Sequence, residues 1–285
     1  MNVRMWEHKA TQKNLNTLFN YGYKFIGPQD GEMACGEYGE GKMSSPRQII
    51  SYLENFFKQK DYFKKKNIRA TVTTGPTREY IDPVRYISNE SSGKQGYEIA
   101  LELSRLGVKT TLISGPTNIN YSDEIKVKKI VSGKQMFNEI KKTLPTDIAV
   151  CTAAVSDFKP VMKNKQKLKK KINLDKIQLE QNPDILEFLG KNNRHKPKLL
   201  VGFSAETENI IKNSIEKMHE KHCDIIIAND VSNKETGFNV DFNEVTIIEN
   251  NGEIQKIKKS SKKFIASIIA KKIINSFLDI KKRLN

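Results

Sequence analysis

The chain is poor in the residues that staple or anchor proteins. Three cysteines, Cys35, Cys151 and Cys223, are scattered over 285 residues with no framework spacing. So odd and sparse a set excludes a disulfide scaffold and fits a reducing cytoplasm. No apolar run reaches the roughly 18 residues a membrane helix needs, so no membrane partner is expected. The opening residues, Met1 to His8, hold no apolar stretch, so no signal peptide is read there. Arginine is scarce, and no basic motif interleaves with aromatics. That argues against nucleic-acid binding despite a formal charge of +16. The charge comes from lysines spread along the chain, a field that draws in anionic small molecules. Hydrophobic residues at 37% against 29% charged leave enough apolar surface for the core of a polar globular protein.

Two patterns divide the chain. In residues 1–57, Thr11 to Asn20 reads as a helix, with Leu15, Leu18 and Phe19 at helical spacing. Lys24-Phe25-Ile26 reads as a short strand and Gly27 to Gly41 as a glycine-rich loop. Ser45-Pro46 opens a helix to about Phe57, with serine as cap and proline in the first turn. Residues 58–68 are polar and lysine-rich and are expected to link. From Arg69 to the end, strands alternate with helices, which implies a parallel sheet covered on both faces. Strands are expected at Arg69–Thr74, Lys109–Ser114, Val127–Val131, Asp147–Ala154, Leu199–Ser204 and Asp224–Ala228. Helices are expected at Gly96–Leu106, from Ser132 with Gln135 closing a capping box, and at about Thr207–His222. Val245–Glu249 and Ile254–Ile257 flank the hairpin signal Asn251-Gly252, and a helix from Ser261 to Leu278 ends the chain.

Glycine and small residues gather where strands end. Thr73-Thr74-Gly75-Pro76-Thr77-Arg78 closes the first strand, and Ser91-Ser92-Gly93-Lys94-Gln95-Gly96 opens a helix, whose amides suit a phosphate. The alternative is a tight turn and helix start without ligand. The spacing excludes a Walker A loop, because Gln95 follows Gly93-Lys94. It also fits a dinucleotide fingerprint poorly, because the second strand ends in Ser114-Gly115-Pro116 with no acid for a ribose. Cys151-Thr152-Ala153-Ala154 leaves room at a strand end, and Asp157 beyond it either holds a sugar hydroxyl or metal or caps a turn. Phe203 either stacks on a base or fills the core. Lys217 and Lys221 share a helix face, for a triphosphate or for solvent. His219, His222 and Cys223 lack the second cluster a metal site requires, so no metal is expected on protein ligands.

Taken together, Gly75-Pro76-Thr77-Arg78, Asp82-Pro83-Val84-Arg85-Tyr86-Ile87-Ser88-Asn89 and Ser91-Ser92-Gly93-Lys94 resemble a known signature. Ala153-Ala154-Val155-Ser156-Asp157, Asn182-Pro183-Asp184-Ile185, Gly202-Phe203-Ser204-Ala205-Glu206 and Ala228-Asn229-Asp230 follow in the same order. The family is the bacterial bifunctional phosphopantothenoylcysteine decarboxylase / phosphopantothenate–cysteine ligase of coenzyme A synthesis.

The resemblance implies an α/β fold: a Rossmann-like doubly wound sheet over residues 69–285, with a C-terminal hairpin and helix. A fragment of a flavodoxin-like domain precedes it over residues 1–57. It implies joining of 4′-phosphopantothenate and L-cysteine, with CTP as activator and magnesium carried by the triphosphate. It assigns Asn89 to the acyl intermediate. It assigns Cys151, Thr152, Ala153, Asp157, Pro183, Asp184, Ile185, Leu186, Phe203, Lys217 and Lys221 to the nucleotide. Lys167, or else Lys169 or Lys170, belongs to a mobile lysine arm that closes on the phosphates. Cys35 matches the cysteine of the FMN-dependent decarboxylase half. The FMN loops and histidine base of that half are expected to lie outside this chain, which reads as starting at an internal methionine. A homo-oligomer, as a ligase dimer, is implied as well.

Overall fold

The structure, a computed structural model, describes residues 1–21, 23–169, 176–192, 194–232 and 241–284. It divides into two units, Met1–Lys66 and Asn67–Asn285.

The first unit contains α1 (Val3–Glu7), α2 (Lys9–Asn20), β1 (Gln29–Glu32), β2 (Tyr38–Lys42) and α3 (Pro46–Lys65). Lys24-Phe25-Ile26, expected as a strand, is not one. The strand pairing falls instead inside the expected glycine loop, where β1 and β2 form an antiparallel hairpin. Gly39 and Gly41 sit in β2 at φ of 148° and 139°, backbone that side chains rarely adopt. A strand of one exposed tyrosine, two glycines and two charged residues carries no hydrophobic period, so pattern reading passes over it. Helix α3 begins as expected, with a Ser45–Gln48 capping box and Pro46 in its first turn. It runs on through the expected linker to Lys65. Lysine is a good helix former, and Lys64 and Lys65 in the last turn complement the helix dipole.

In the second unit β3 (Arg69–Thr74) leads to a small hairpin, β4 (Arg78–Tyr80) and β5 (Tyr86–Ser88), then α4 (Lys94–Arg105). Next come β6 (Lys109–Ser114), β7 (Lys126–Lys129), α5 (Gly133–Thr143) and β8 (Ile148–Cys151). A second small hairpin, β9 (Phe158–Pro160) with β10 (Leu179–Gln181), precedes α6 (Ile185–Gly190). The chain closes with β11 (Leu199–Glu206), α7 (Ile210–Glu220), β12 (Ile225–Asp230), β13 (Phe242–Glu249), β14 (Ile254–Ser261) and α8 (Lys262–Leu284).

One eight-stranded sheet organises this unit, in the order β14-β13-β12-β11-β8-β3-β6-β7. The six strands from β12 to β7 are parallel, and β13 and β14 extend the sheet antiparallel. Numbered by their place in the chain, the parallel strands stand in the order 3-2-1-4-5-6, the arrangement of dinucleotide-binding folds. Central strands are buried on both faces and so read as apolar runs: Val72, Val150, Leu200, Val201 and Ile226 are all fully buried. Met136 and Ile140 of α5, Leu186 and Leu189 of α6 and Met218 of α7 pack together with Leu200 and Ile226 in one cluster. Helices α4 and α8 pack against each other, burying Ile99, Leu103, Ile265 and Ile269. The capping box at Ser132 and the hairpin turn at Gly252, with φ of 90°, form as expected. Helix α6 and both small hairpins carried no signal in the sequence reading, each being six residues or fewer per element. No described helix is long and apolar enough to cross a membrane.

Candidate nucleotide cleft at the switch point of the sheet

The crossover from β3 runs toward β6, and the one from β8 runs toward β11, so a crevice opens at the carboxyl ends of β3 and β8. Backbone pairing carries the two chains past the strands themselves. Ala154 N–H donates to Gly75 O at 3.0 Å, and Thr77 N–H to Ala154 O at 3.3 Å. The Thr152 hydroxyl donates to Thr73 O at 2.6 Å. The buried Thr77 hydroxyl accepts from Ser156 N–H at 3.1 Å. These bonds hold the small residues 151–155 flat at the strand end, where bulkier ones would fill the crevice.

A first cleft of about 470 Å³ lies on the α6 and α7 side, within the range of small-molecule sites. Cys151, Ala153 and Asp157 stand on one wall, Pro183, Asp184, Ile185 and Leu186 on a second, and Phe203, Lys217 and Lys221 also line it. The Pro183–Leu186 wall is tied to the Asp157 wall. Asn182 N–H donates to Asp157 O at 2.8 Å, and the Asn182 amide donates to Ser156 O at 2.9 Å. Asp184 caps α6, accepting from Glu187 N–H at 2.8 Å. Gly202 lets α6 approach β11 closely, since a Cβ there would stand 2.9 Å from Leu186 Cδ2.

A second cleft of about 610 Å³ adjoins the first and shares Ala153, Val155, Asp157, Phe203 and Lys217 with it. Its floor is the start of α4. Gly93 takes the left-handed conformation, with φ of 73°, and no side chain caps the helix. The first-turn amides therefore face the cleft unmet by protein side chains. A Cβ on Gly96 would collide with the hydroxyls of Thr74 and Thr152. Glycine is the residue that brings this helix start so near the strand ends. Asn89 and Thr152 line this cleft. The Asn89 amide donates to Val155 O at 3.1 Å, which fixes the residue that follows β5 to the shared wall.

The two helix lysines have different surroundings. Lys221 has a side chain only 14% exposed, with Glu220 at 2.6 Å, Asp184 at 3.2 Å and Glu187 at 3.5 Å. Those carboxylates, Glu220 first, hold its ammonium above the ordinary lysine range. Its charge is already spoken for, so it braces α6 against α7. Among the described residues no carboxylate pairs with Lys217, which faces both clefts. Cys151 is half-buried on the wall, and burial raises its thiol far above the usual range. It is a small wall residue and no nucleophile.

Two sequence expectations fall elsewhere. Lys167 and Lys169 are exposed, and neither lines either cleft; Lys170 and Lys171 lie outside the described residues. Cys35 is in the first unit, exposed at the turn of the β1–β2 hairpin, with Sγ 3.9 Å from Glu37 Oε2. Sequence reading missed Lys262, the first residue of α8, which reaches the second cleft from a distant part of the chain. It is 7% exposed, and burial, with Lys94 nearby, lowers its ammonium from the ordinary range. No local signal marks it among so many lysines. Asn229 belongs to the Ala228-Asn229-Asp230 motif. Its side-chain oxygen is buried without a protein partner at the rim of the second cleft. No group of three or more His, Cys, Asp or Glu able to hold a metal ion occurs among the described residues.

Comparison with known proteins places this architecture. A family model described as the DNA/pantothenate metabolism flavoprotein C-terminal domain matches residues 65–277. The chain belongs to this family. A second model, described as flavoprotein, matches residues 1–58. Among the relatives, the coenzyme A biosynthesis bifunctional protein CoaBC of Haemophilus influenzae is 38% identical over 278 residues, covering 97% of this chain and 68% of that one. The protein of the same name from Vibrio cholerae is 38% identical over 272 residues, 94% of this chain and 67% of that one. The solved C-terminal domain of a CoaBC superposes with a TM-score of 0.62 at 35% identity, covering 74% of this chain and 96% of that domain. A Cab2 mutant solved with phosphopantothenate-cysteine shares the fold at 16% identity, with a TM-score of 0.61 over 84% of this chain and 96% of that one. The crevice at β3 and β8 lies within the part of the chain that this family model matches.

Proposed function

We propose that the second unit is a phosphopantothenate–cysteine ligase of coenzyme A biosynthesis, which activates its acid with CTP. The observation that carries this reading is the pair of adjoining clefts with a shared wall at the switch point. One cleft holds most of the residues that the family resemblance gives to the nucleotide, and the other holds Asn89. An unactivated carboxylate does not acylate an amine, so a leaving group must first be installed. The 4′-phosphopantothenate carboxylate attacks the α-phosphate of CTP, which releases pyrophosphate and leaves an acyl-cytidylate. The amine of L-cysteine then attacks the acyl carbon, and CMP departs with the bonding pair.

The chain's own groups suit both steps. Phe203 and the Pro183–Leu186 wall form an apolar and backbone-lined slot for a base. Lys217 stands between the clefts, where negative charge on the α-phosphate builds. The uncapped start of α4 offers amides to an anion. Asn89, anchored to Val155 O, sits beside the place of the acyl group and serves the second step. Lys167 closes from the arm over the phosphates. Magnesium enters on the triphosphate and offsets its charge; the described residues supply no cluster of their own for it.

FMN goes with the flavoprotein reading of residues 1–58, where it would supply redox chemistry to the decarboxylase half. The described part of the first unit has one two-stranded antiparallel sheet and no parallel strand–loop–helix unit to cradle a phosphate. It does not by itself fit FMN. Cys35 is proposed as that half's thiol, and a homodimer as the ligase's working state.

Pyrophosphate release tests the reading, with 4′-phosphopantothenate and magnesium present and CTP compared with ATP. Release that requires the acid and prefers CTP is expected. Asn89→Asp should keep the first step and slow product formation on the order of a hundredfold, the range seen when one transition-state donor is lost. No release from folded protein would sink the proposal. The strand order alone favours a second reading, an NAD(P)-binding oxidoreductase. Ser114 at the end of β6, bonded to the Tyr121 hydroxyl at 2.7 Å, stands where a ribose-binding acid belongs. Tight NADPH binding would revive that reading.

A further inference from the structure

The lysine-rich segment after β9 is fastened to the loop of the β4–β5 hairpin. Asn164 N–H donates to Ile81 O at 2.9 Å. The Lys163 ammonium stands 5.2 Å from the centre of the Tyr80 ring. Leu168 is gripped on both sides of its backbone. Its N–H donates to Asp82 Oδ2 at 3.3 Å, and its carbonyl accepts from Arg85 Nη2 at 3.1 Å.

Asp82 is the centre of this clasp. It is fully buried. Its Oδ1 accepts from Val84 N–H and Arg85 N–H, each at 2.8 Å. Its Oδ2 accepts from Arg85 Nε at 2.9 Å and Nη2 at 2.6 Å. The guanidinium beside it holds the carboxyl well below the usual range, so the group stays charged. A buried carboxylate with five donors tolerates little displacement. Asp82 lines neither cleft, so substrate contact does not account for it. The residue it grips follows Lys167 directly, and the hairpin that bears it leads through β5 to Asn89.

We propose that Asp82 is a positioning residue for the ligase: with Arg85 it anchors the lysine arm at Leu168 and so sets the reach of Lys167 toward the nucleotide. The proposal rests on the ligase reading of the second unit. Because the clasp holds backbone atoms, it works whatever side chain stands at position 168. Because the same loop continues into Asn89, the arm and the acyl site share one fixed point.

The test uses the full chain and Asp82→Asn, which keeps an acceptor for the turn amides and loses the charge. Two readouts are taken. In limited trypsin digestion without nucleotide, cleavage between Lys163 and Lys169 should accelerate several-fold, with cleavage elsewhere unchanged. In turnover, KM for CTP should rise about tenfold, the scale of a lost charge-assisted hydrogen bond. The kcat and the KM for 4′-phosphopantothenate should move far less. Arg85→Lys keeps the charge without the fork, should show both effects in weaker form, and serves as the test if Asp82→Asn does not fold. Unchanged arm cleavage in the folded variants, or a fall in kcat with KM for CTP unmoved, overturns the proposal. Absence of CTP turnover in the wild-type chain overturns the ligase reading itself and is seen before any variant is made.

Discussion

Helix α3 in the first unit and helix α8 in the second both carry an apolar stripe, and the stripes have different fates. On α8, Ile265, Ile269, Ile273 and Phe277 repeat every four residues and are at most 1% exposed. On α3, Ile50, Leu53 and Phe57 also share a face, yet they are 57%, 42% and 57% exposed. Among the described residues of the first unit, Phe63 is the one fully buried apolar side chain. A helical hydrophobic period is therefore half of a core. The other half is a second layer to receive it. The eight-stranded sheet supplies that layer for α8, while β1 and β2 hold glycine, polar and charged residues and a single aromatic, Tyr38, which is itself exposed.

Truncations of one leucine in each unit should separate the two most widely. Leu200→Ala in the central strand β11 should cost about 2–5 kcal/mol, whereas Leu53→Ala should fall within about 0.5 kcal/mol. Denaturant unfolding of each variant reads the difference, and equal losses would break the comparison. Glycine substitutions sharpen it at a smaller scale. Gly96→Val pushes atoms into the Thr74 and Thr152 hydroxyls, an overpacking that should cost about 1–3 kcal/mol and abolish turnover with it. Gly36→Ala meets no atom within 4 Å, so its penalty is the left-handed backbone alone, about 1–2 kcal/mol.

The thiols give the smallest effect, which at neutral pH is one of reactivity alone. Cys35 is exposed and should alkylate at once at pH 8. Burial, and then Asp224, pushes the Cys223 thiol up to about 12, and burial raises Cys151 further. Both should resist alkylation until the second unit unfolds. A thiol whose folded pKa is raised contributes stability in full below its unfolded value near 9, and loses it as pH climbs toward 12. Cys223→Ala should flatten that alkaline loss. Labelling of Cys223 at pH 8 in folded protein would contradict the burial on which this rests.

Much of the second unit can be read from its residues one at a time. The central strands are continuous apolar runs because both their faces are covered. The caps at Ser45 and Ser132 and the turn at Gly252 declare themselves through local chemistry. The small hairpins do not, since three-residue strands such as Phe158–Pro160 are too short to show a period. The charged stretch after Phe57 is read as a linker because lysine is polar, although lysine is equally at home on an exposed helix. Of the candidate site, the residues at strand ends were legible because small residues there have few other uses. Lys262 and the partnering of Lys221 were not, because both depend on neighbours remote in the chain.

The sequence by itself determined the alternation of strand and helix, the order of the motifs and the placing of glycine where backbone must pass close to backbone. These are local matters, set by period, cap and φ. Only the tertiary structure decided that Lys217 has no carboxylate partner among the described residues while Lys221 is neutralised by three. It alone also decided that Asp82 is buried and grips the lysine arm from 86 residues away. The reason is physical: charge compensation and burial depend on distances in space, and a one-dimensional pattern carries no such distances.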